Sequence, residues 1–127
     1  MVGIEKMNMI RFSVLLSFFL ANTAFAVTGF VKGSVQYVRV HDGDIYTTWK
    51  PPKFWFTLNG VTSAGSCPTW HGNILFSMES DTAYSMVLAA QMASKEIAVH
   101  YDDSKLHTDG NYCKGVYVTS GNPPPLH

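Results

Sequence analysis

The feature that most limits what this chain can fold into is its N-terminal segment, because it decides how much chain is left to fold and in which chemical environment. Lys6 and Arg11 flank the apolar run 12–20, and Ala24-Phe25-Ala26 supplies the small-x-small pattern of a signal-peptidase site. The run is shorter than the ~20 apolar residues of a membrane span, and no second hydrophobic stretch follows to stop transfer. Residues 1–26 therefore read as a signal peptide, with Met7 or Met9 as an alternative start, and a secreted or periplasmic location is expected. A buried N-terminal helix is the competing reading, and it leaves the basic flank and the cleavage pattern unexplained. Removing 26 of the 127 residues leaves 101 for a single domain, 27–127.

Export changes how Cys67 and Cys113 are read. They are the only 2 cysteines, both lie beyond the signal segment, and an oxidising compartment makes a disulfide between them the default. Closing the intervening loop stabilises a fold of this size by roughly 4 kcal/mol in the chain-entropy treatment. A catalytic thiol would have to stay reduced outside the cytosol, and a zinc site would want a CxxC or HxxxH spacing that does not occur.

Charge narrows the class of partner. With 9 basic and 9 acidic side chains the chain has no global field to hold a nucleic acid or an anionic membrane, so a partner must be bound by shape and local contacts. A charged fraction of 14% beside 13% aromatic residues describes a globular domain, not a disordered tail.

Beyond residue 27 the patterning is mostly that of strands. In 30–40, Val31, Val35 and Tyr37 share one parity and Val38 and Val40 take over the other, which predicts a long strand with a bulge or bend. Asp42-Gly43-Asp44 makes a turn, 45–49 reads as a second strand ending at Pro51-Pro52, and 54–58 as a third ending at Asn59-Gly60. A Gly/Ser-rich loop then carries Cys67, and 73–78 is a fourth, short strand. After a helix candidate, 96–101 alternates cleanly and is turned by Asp102-Asp103-Ser104, and 112–119 is the last strand. Gly121 to Pro125 forms an irregular tail.

The helix candidate spans 81–94, with Ser80 or Asp81 as its cap and no Gly or Pro inside. Ala83, Val87 and Ala90 lie on one side and Met86, Ala89 and Ala93 on another, so its polar stripe is thin. Two readings stay open: one face covers the domain while the other meets a partner, or the helix is buried all round. Several strands, one helix and two more strands suit a mainly β fold with one helix, a small OB-like Greek-key barrel with the helix between its later strands.

Candidate chemistry is sparse. His41, His71, His100 and His107 fall on different elements without ligand spacing, and Asp42-Gly43-Asp44 lacks the later ligands of a calcium loop. Asp102 and Asp103 are neighbours whose side chains point apart, which does not make an acid/base dyad. Neither a metal, a cofactor nor enzymatic activity is expected. What remains for recognition is aromatic: Tyr37, Trp49, Trp55, Trp70, Tyr84, Tyr101 and Tyr117, part core and part available to sugar or protein ligands.

Gly33-Ser34-Val35, the run 54–60, Ser63-Ala64-Gly65-Ser66, and Tyr84 through His100-Tyr101 resemble the pertussis-like B subunits of AB5 toxins, the type found in subtilase cytotoxin. The resemblance covers most of the chain beyond residue 26. It implies an OB fold, a pentameric ring whose helices line a central pore, a catalytic A subunit as partner, and binding of sialylated or other host glycans without enzymatic activity. Tyr101 matches a glycan-contacting tyrosine of that family, with Lys32 and Ser34 as its expected neighbours in a ligand site. Lys32 stands where the family carries a sugar-binding serine, a change that removes the short hydroxyl geometry used for sialic acid while leaving a cation able to pair with a carboxylate. The expectation is a secreted glycan-binding protein that forms a homo-oligomer. Its competitor is a periplasmic protein-binding module, an inhibitor or envelope accessory factor, with no sugar ligand.

Overall fold

A computed structural model describes residues 28–121 and residue 124. The signal-peptide assignment at 1–26 lies outside the described residues, as does most of the tail. The elements are β1 (Thr28–Arg39), a 3-10 turn (Thr47–Trp49), β2 (Lys53–Leu58), β3 (Thr69–Trp70), β4 (Asn73–Glu79), α1 (Asp81–Met92), β5 (Glu96–Leu106) and β6 (Cys113–Ser120).

Strand pairing closes on itself. β1 pairs antiparallel with β2 and with β5, β2 with β4, and β5 with β6. A single parallel bridge between Ser77 on β4 and Lys114 on β6 completes the ring, and the two-residue β3 is pinned outside β4. The fold is thus mainly β, a compact OB-like barrel with its one described helix between β4 and β5. Phe54, Phe56, Leu58, Ile74, Phe76, Ile97 and Val99 fill the interior, with Ala83, Val87 and Ala90 of α1 closing one end.

The expected bulge is present. Val35 pairs with Leu58 and Tyr37 with Thr57, so Gln36 is the extra residue, and the inward parity passes from Val35 to Val38. The bulge leaves the Gln36 carbonyl off the ladder, and Gln91 of α1 donates to it at 3.1 Å. α1 itself starts where Ser80 Oγ accepts from the Ala83 N–H at 3.1 Å. At the end of β2, Gly60 takes the positive φ of 78° that its turn needs.

Cys67 and Cys113 form the expected disulfide, with Cα atoms 5.6 Å apart. The same loop is held from β5: Asp103 accepts from the backbone N–H of Ser66 at 3.0 Å and from its hydroxyl at 2.8 Å. The loop after β2 is therefore tied to two later strands.

Two sequence expectations fail locally. Residues 45–49 are not a strand: Ile45 and Tyr46 donate back to the Asp42 carbonyl, and the chain continues into the 3-10 turn. The segment lies in the connection between β1 and β2, which pair with each other on either side of it. At the other site, β5 does not stop at Tyr101 but runs to Leu106. Asp102 Oδ1 accepts from both the N–H and the hydroxyl of Ser104, which makes the Asp-Asp-Ser segment an irregularity in the β5–β6 pairing instead of a turn. That pair of bonds also holds the Asp102 carboxyl below its ordinary value.

Candidate functional site

On β2, alternate residues face opposite ways. Phe54, Phe56 and Leu58 enter the barrel, while Trp55 faces outward and is nevertheless only 3% exposed. Trp49, Trp55 and Leu75 form a second apolar cluster on the outer surface, with Trp70 and Tyr112 packed against it. β3 carries Trp70 onto this layer, where its ring centroid sits 4.8 Å from that of Trp55.

Because the bulge resets the parity of β1, Tyr37 and Arg39 reach the same outer face. Arg39 is the register partner of Trp55, and its guanidinium lies 4.7 Å from the Trp55 ring and 5.6 Å from the Trp70 ring. Tyr37 meets Trp70 edge-on at 6.3 Å and remains 51% exposed. His71, in the turn that follows, packs its ring 4.5 Å from Trp70. An exposed phenol beside a guanidinium stacked on indole offers an aromatic surface for the C–H face of a sugar and hydrogen-bond donors at its rim.

Next to this face, Trp49 is sandwiched between two histidines. His107 stacks on it at 3.8 Å and His41 at 5.5 Å, while the Trp49 Nε1–H donates to Asp109 at 2.8 Å. Burial, and after it the charge of Arg39, holds His41 below the ordinary histidine value against the opposing pull of Asp109. His107 is buried as a packing residue, and so is His100, whose ring stacks on Tyr117 at 4.9 Å.

The residues expected to form a sugar site do not converge. Lys32 and Ser34 share the outer face of β1, opposite Ala98 and Glu96 respectively. The Lys32 ammonium sits 5.7 Å from the Phe30 ring, and Ser34 Oγ accepts from the Asn59 side-chain amide at 2.9 Å. Tyr101 instead partners Gly29, faces the barrel interior and is 5% exposed. Cross-strand alternation sends it to the opposite side of the sheet from Lys32 and Ser34. Burial, with the Asp103 charge as a lesser cause, raises the Tyr101 pKa.

Sequence reasoning named Tyr37, Trp49, Trp55 and Trp70 as recognition material without grouping them, and passed over Arg39. The one available signal was the parity switch in β1, which already implies that residues beyond the bulge change face.

A second exposed surface lies on α1. Ala83, Val87 and Ala90 are buried, whereas Met92 is 80% exposed and Met86, Ala89 and Ala93 are exposed with it. In the chain by itself one face of the helix packs and the other is bare, so the helix is not buried all round. Among the described residues no helix is long and apolar enough to cross a membrane. Comparison with protein-family models, with curated proteins and with solved structures finds no match.

Proposed function

We propose that this chain is an exported, non-catalytic binding protein that recognises a glycan on the face formed by Tyr37, Arg39 and Trp70. The observation that carries the reading is the Arg39 guanidinium stacked over Trp55 and Trp70 beside a half-exposed Tyr37. Such a surface sets aromatic rings beside hydrogen-bond donors, which suits the C–H face and hydroxyls of a pyranose ring. The Cys67–Cys113 disulfide supports export, since bridges persist in oxidising compartments. The OB-like barrel supports the likeness to AB5 B subunits, which brings with it a homo-oligomeric ring, a pentamer by that likeness, and a catalytic A subunit as partner. The bare apolar face of α1 is the surface on which copies would assemble.

That same apolar face favours a second reading, a periplasmic module that binds another protein and no sugar. A glycan array on the oxidised mature protein separates the two. Binding to a defined set of glycans that is lost in Tyr37→Ala and Arg39→Ala supports the first reading. Loss in Lys32→Ala or Tyr101→Phe instead would move the site to the residues that the family resemblance names. Silence across the array would leave the protein-binding reading.

A further inference from the structure

We propose that Trp49 fastens the connection between β1 and β2 to the barrel through a proton-sensitive clasp, shut while His41 is neutral and opened when His41 takes up a proton. The clasp is independent of the glycan reading. Among the described residues, the backbone hydrogen bonds of 40–52 stay within the connection or reach only Lys53 at its end. Ile45 and Tyr46 donate to the Asp42 carbonyl, Trp49 to that of Tyr46, and Lys53 to that of Lys50. Trp49 is the only buried residue of the segment. The connection is thus a small unit of its own, fixed to the barrel by one deeply seated ring.

Three groups hold that ring. His107 stacks on it at 3.8 Å, Asp109 accepts from its Nε1–H at 2.8 Å, and His41 stacks on it at 5.5 Å. His107 and Asp109 follow β5, so they tie the ring to the barrel. His41 ties it to the start of the connection, and Tyr46 packs edge-on against the same imidazole at 5.3 Å. The His41 ring therefore joins both ends of the connection to the anchor.

That position suits a neutral imidazole and not a charged one. His41 is half-buried, and its Nδ1 is buried with no hydrogen-bond partner among the described residues. In the imidazolium this atom is a charged N–H donor, which costs far more to keep from water than an unpaired atom of a neutral ring. Arg39 on β1 and His107 oppose the added charge, while Asp109 favours it. Lys53 of β2 and Asp81 and Tyr84 of α1 line a cleft of about 270 Å³ with His41, a cation and an anion that offset one another. The Trp49 face also attracts a cation. Burial and Arg39 prevail over these attractions, since the His41 pKa lies below its ordinary value. The proton is taken up with the imidazole out of the stack, where Nδ1 reaches water. Opening bares apolar surface beside Trp55, because Trp49 and Trp55 share one cluster.

The sign follows from linkage. In the open form His41 titrates near the ordinary value of about 6.5, and in the shut form below it. The open fraction therefore grows about tenfold per pH unit from about 6.5 down to the shut-state value.

Hydrogen exchange read by NMR on the oxidised protein, corrected for the intrinsic pH dependence of exchange, tests the clasp. Between pH 7.5 and 5.5 the protection of the Tyr46 and Trp49 amides should fall about tenfold, while the sheet amides of Phe56 and Val99 keep theirs. His41→Phe, which keeps a ring and cannot ionise, should remove the pH dependence and leave protection high. His41→Gln, which lacks the ring and cannot ionise, should give low protection at both pH values. Protection in the connection that does not change with pH would overturn the proposal, as would a fall that persists in His41→Phe. A fall shared by Phe56 and Val99 would overturn it too, because it would report loss of the whole fold and not release of one segment.

Discussion

Tyr101 and Gly29 are register partners on β5 and β1, and the tyrosine ring lies so close over the glycine that a β-carbon there would overlap its hydroxyl and ring. The glycine is needed for this approach, since its backbone is not in the left-handed region. Tyr101 is thereby a wall of the barrel before it is anything else.

Gly29→Ala should lower the melting temperature, with an overpacking cost of about 1–3 kcal/mol unless Tyr101 can swing away. Tyr101→Phe should leave the melting temperature nearly unchanged, because it removes only the hydroxyl. Thermal melts of the two variants side by side check both statements, and a destabilised Tyr101→Phe would mean that the hydroxyl carries a structural bond.

The disulfide ties the loop after β2 to the start of β6 across 46 residues. Exported protein should resist thiol alkylation at both cysteines, and its intact mass should correspond to a chain beginning at Val27. Cys67→Ser should cost roughly 4 kcal/mol, a sizeable share of the stability of a domain this small, and show as a large drop in melting temperature. Alkylation of both residues in freshly exported protein would contradict the bridge.

Assembly through α1 makes a separable prediction. Met92→Glu and Met86→Glu place charge on the exposed face and leave Ala83, Val87 and Ala90 packed. They should dissociate the proposed oligomer in sedimentation velocity, with a change of within about 0.5 kcal/mol in the stability of the monomer. A wild-type protein that stays monomeric at high micromolar concentration would rule out the ring.

His41 gives the acid side of the stability profile. Its pKa in the fold is lowered by burial and by Arg39, so the unfolded chain takes up a proton first as pH falls. The stability it contributes is present above about pH 6.5, the unfolded histidine value, and is lost as pH drops through the lower folded value. Denaturant melts between neutral and mildly acidic pH should show this fall. His41→Phe, which can keep the stack on Trp49, should flatten it.

What could be read in order along the chain was what adjacent residues settle among themselves. Ser80 caps α1 because its oxygen reaches an N–H three residues on, and the β1 bulge is written in a parity change within one strand. The disulfide followed from there being one pair of cysteines in a chain expected to be exported. Tertiary structure decided the rest, because periodicity distinguishes two faces of an element but not which of them is covered. Residues 45–49 have the composition of a strand and became the connection between two paired strands; Ala98 and His100 have outward parity and are buried, Ala98 between Lys32 and Thr119 and His100 between Phe30 and Tyr117. Tyr101 keeps the inward parity of Ile97 and Val99, and Gly29 opposite leaves room for its ring on the other side of the sheet from Lys32 and Ser34. Arg39, Trp55 and Trp70 became one surface only when the bulge, β2 and β3 were brought together, and contacts between such distant positions have no local signature.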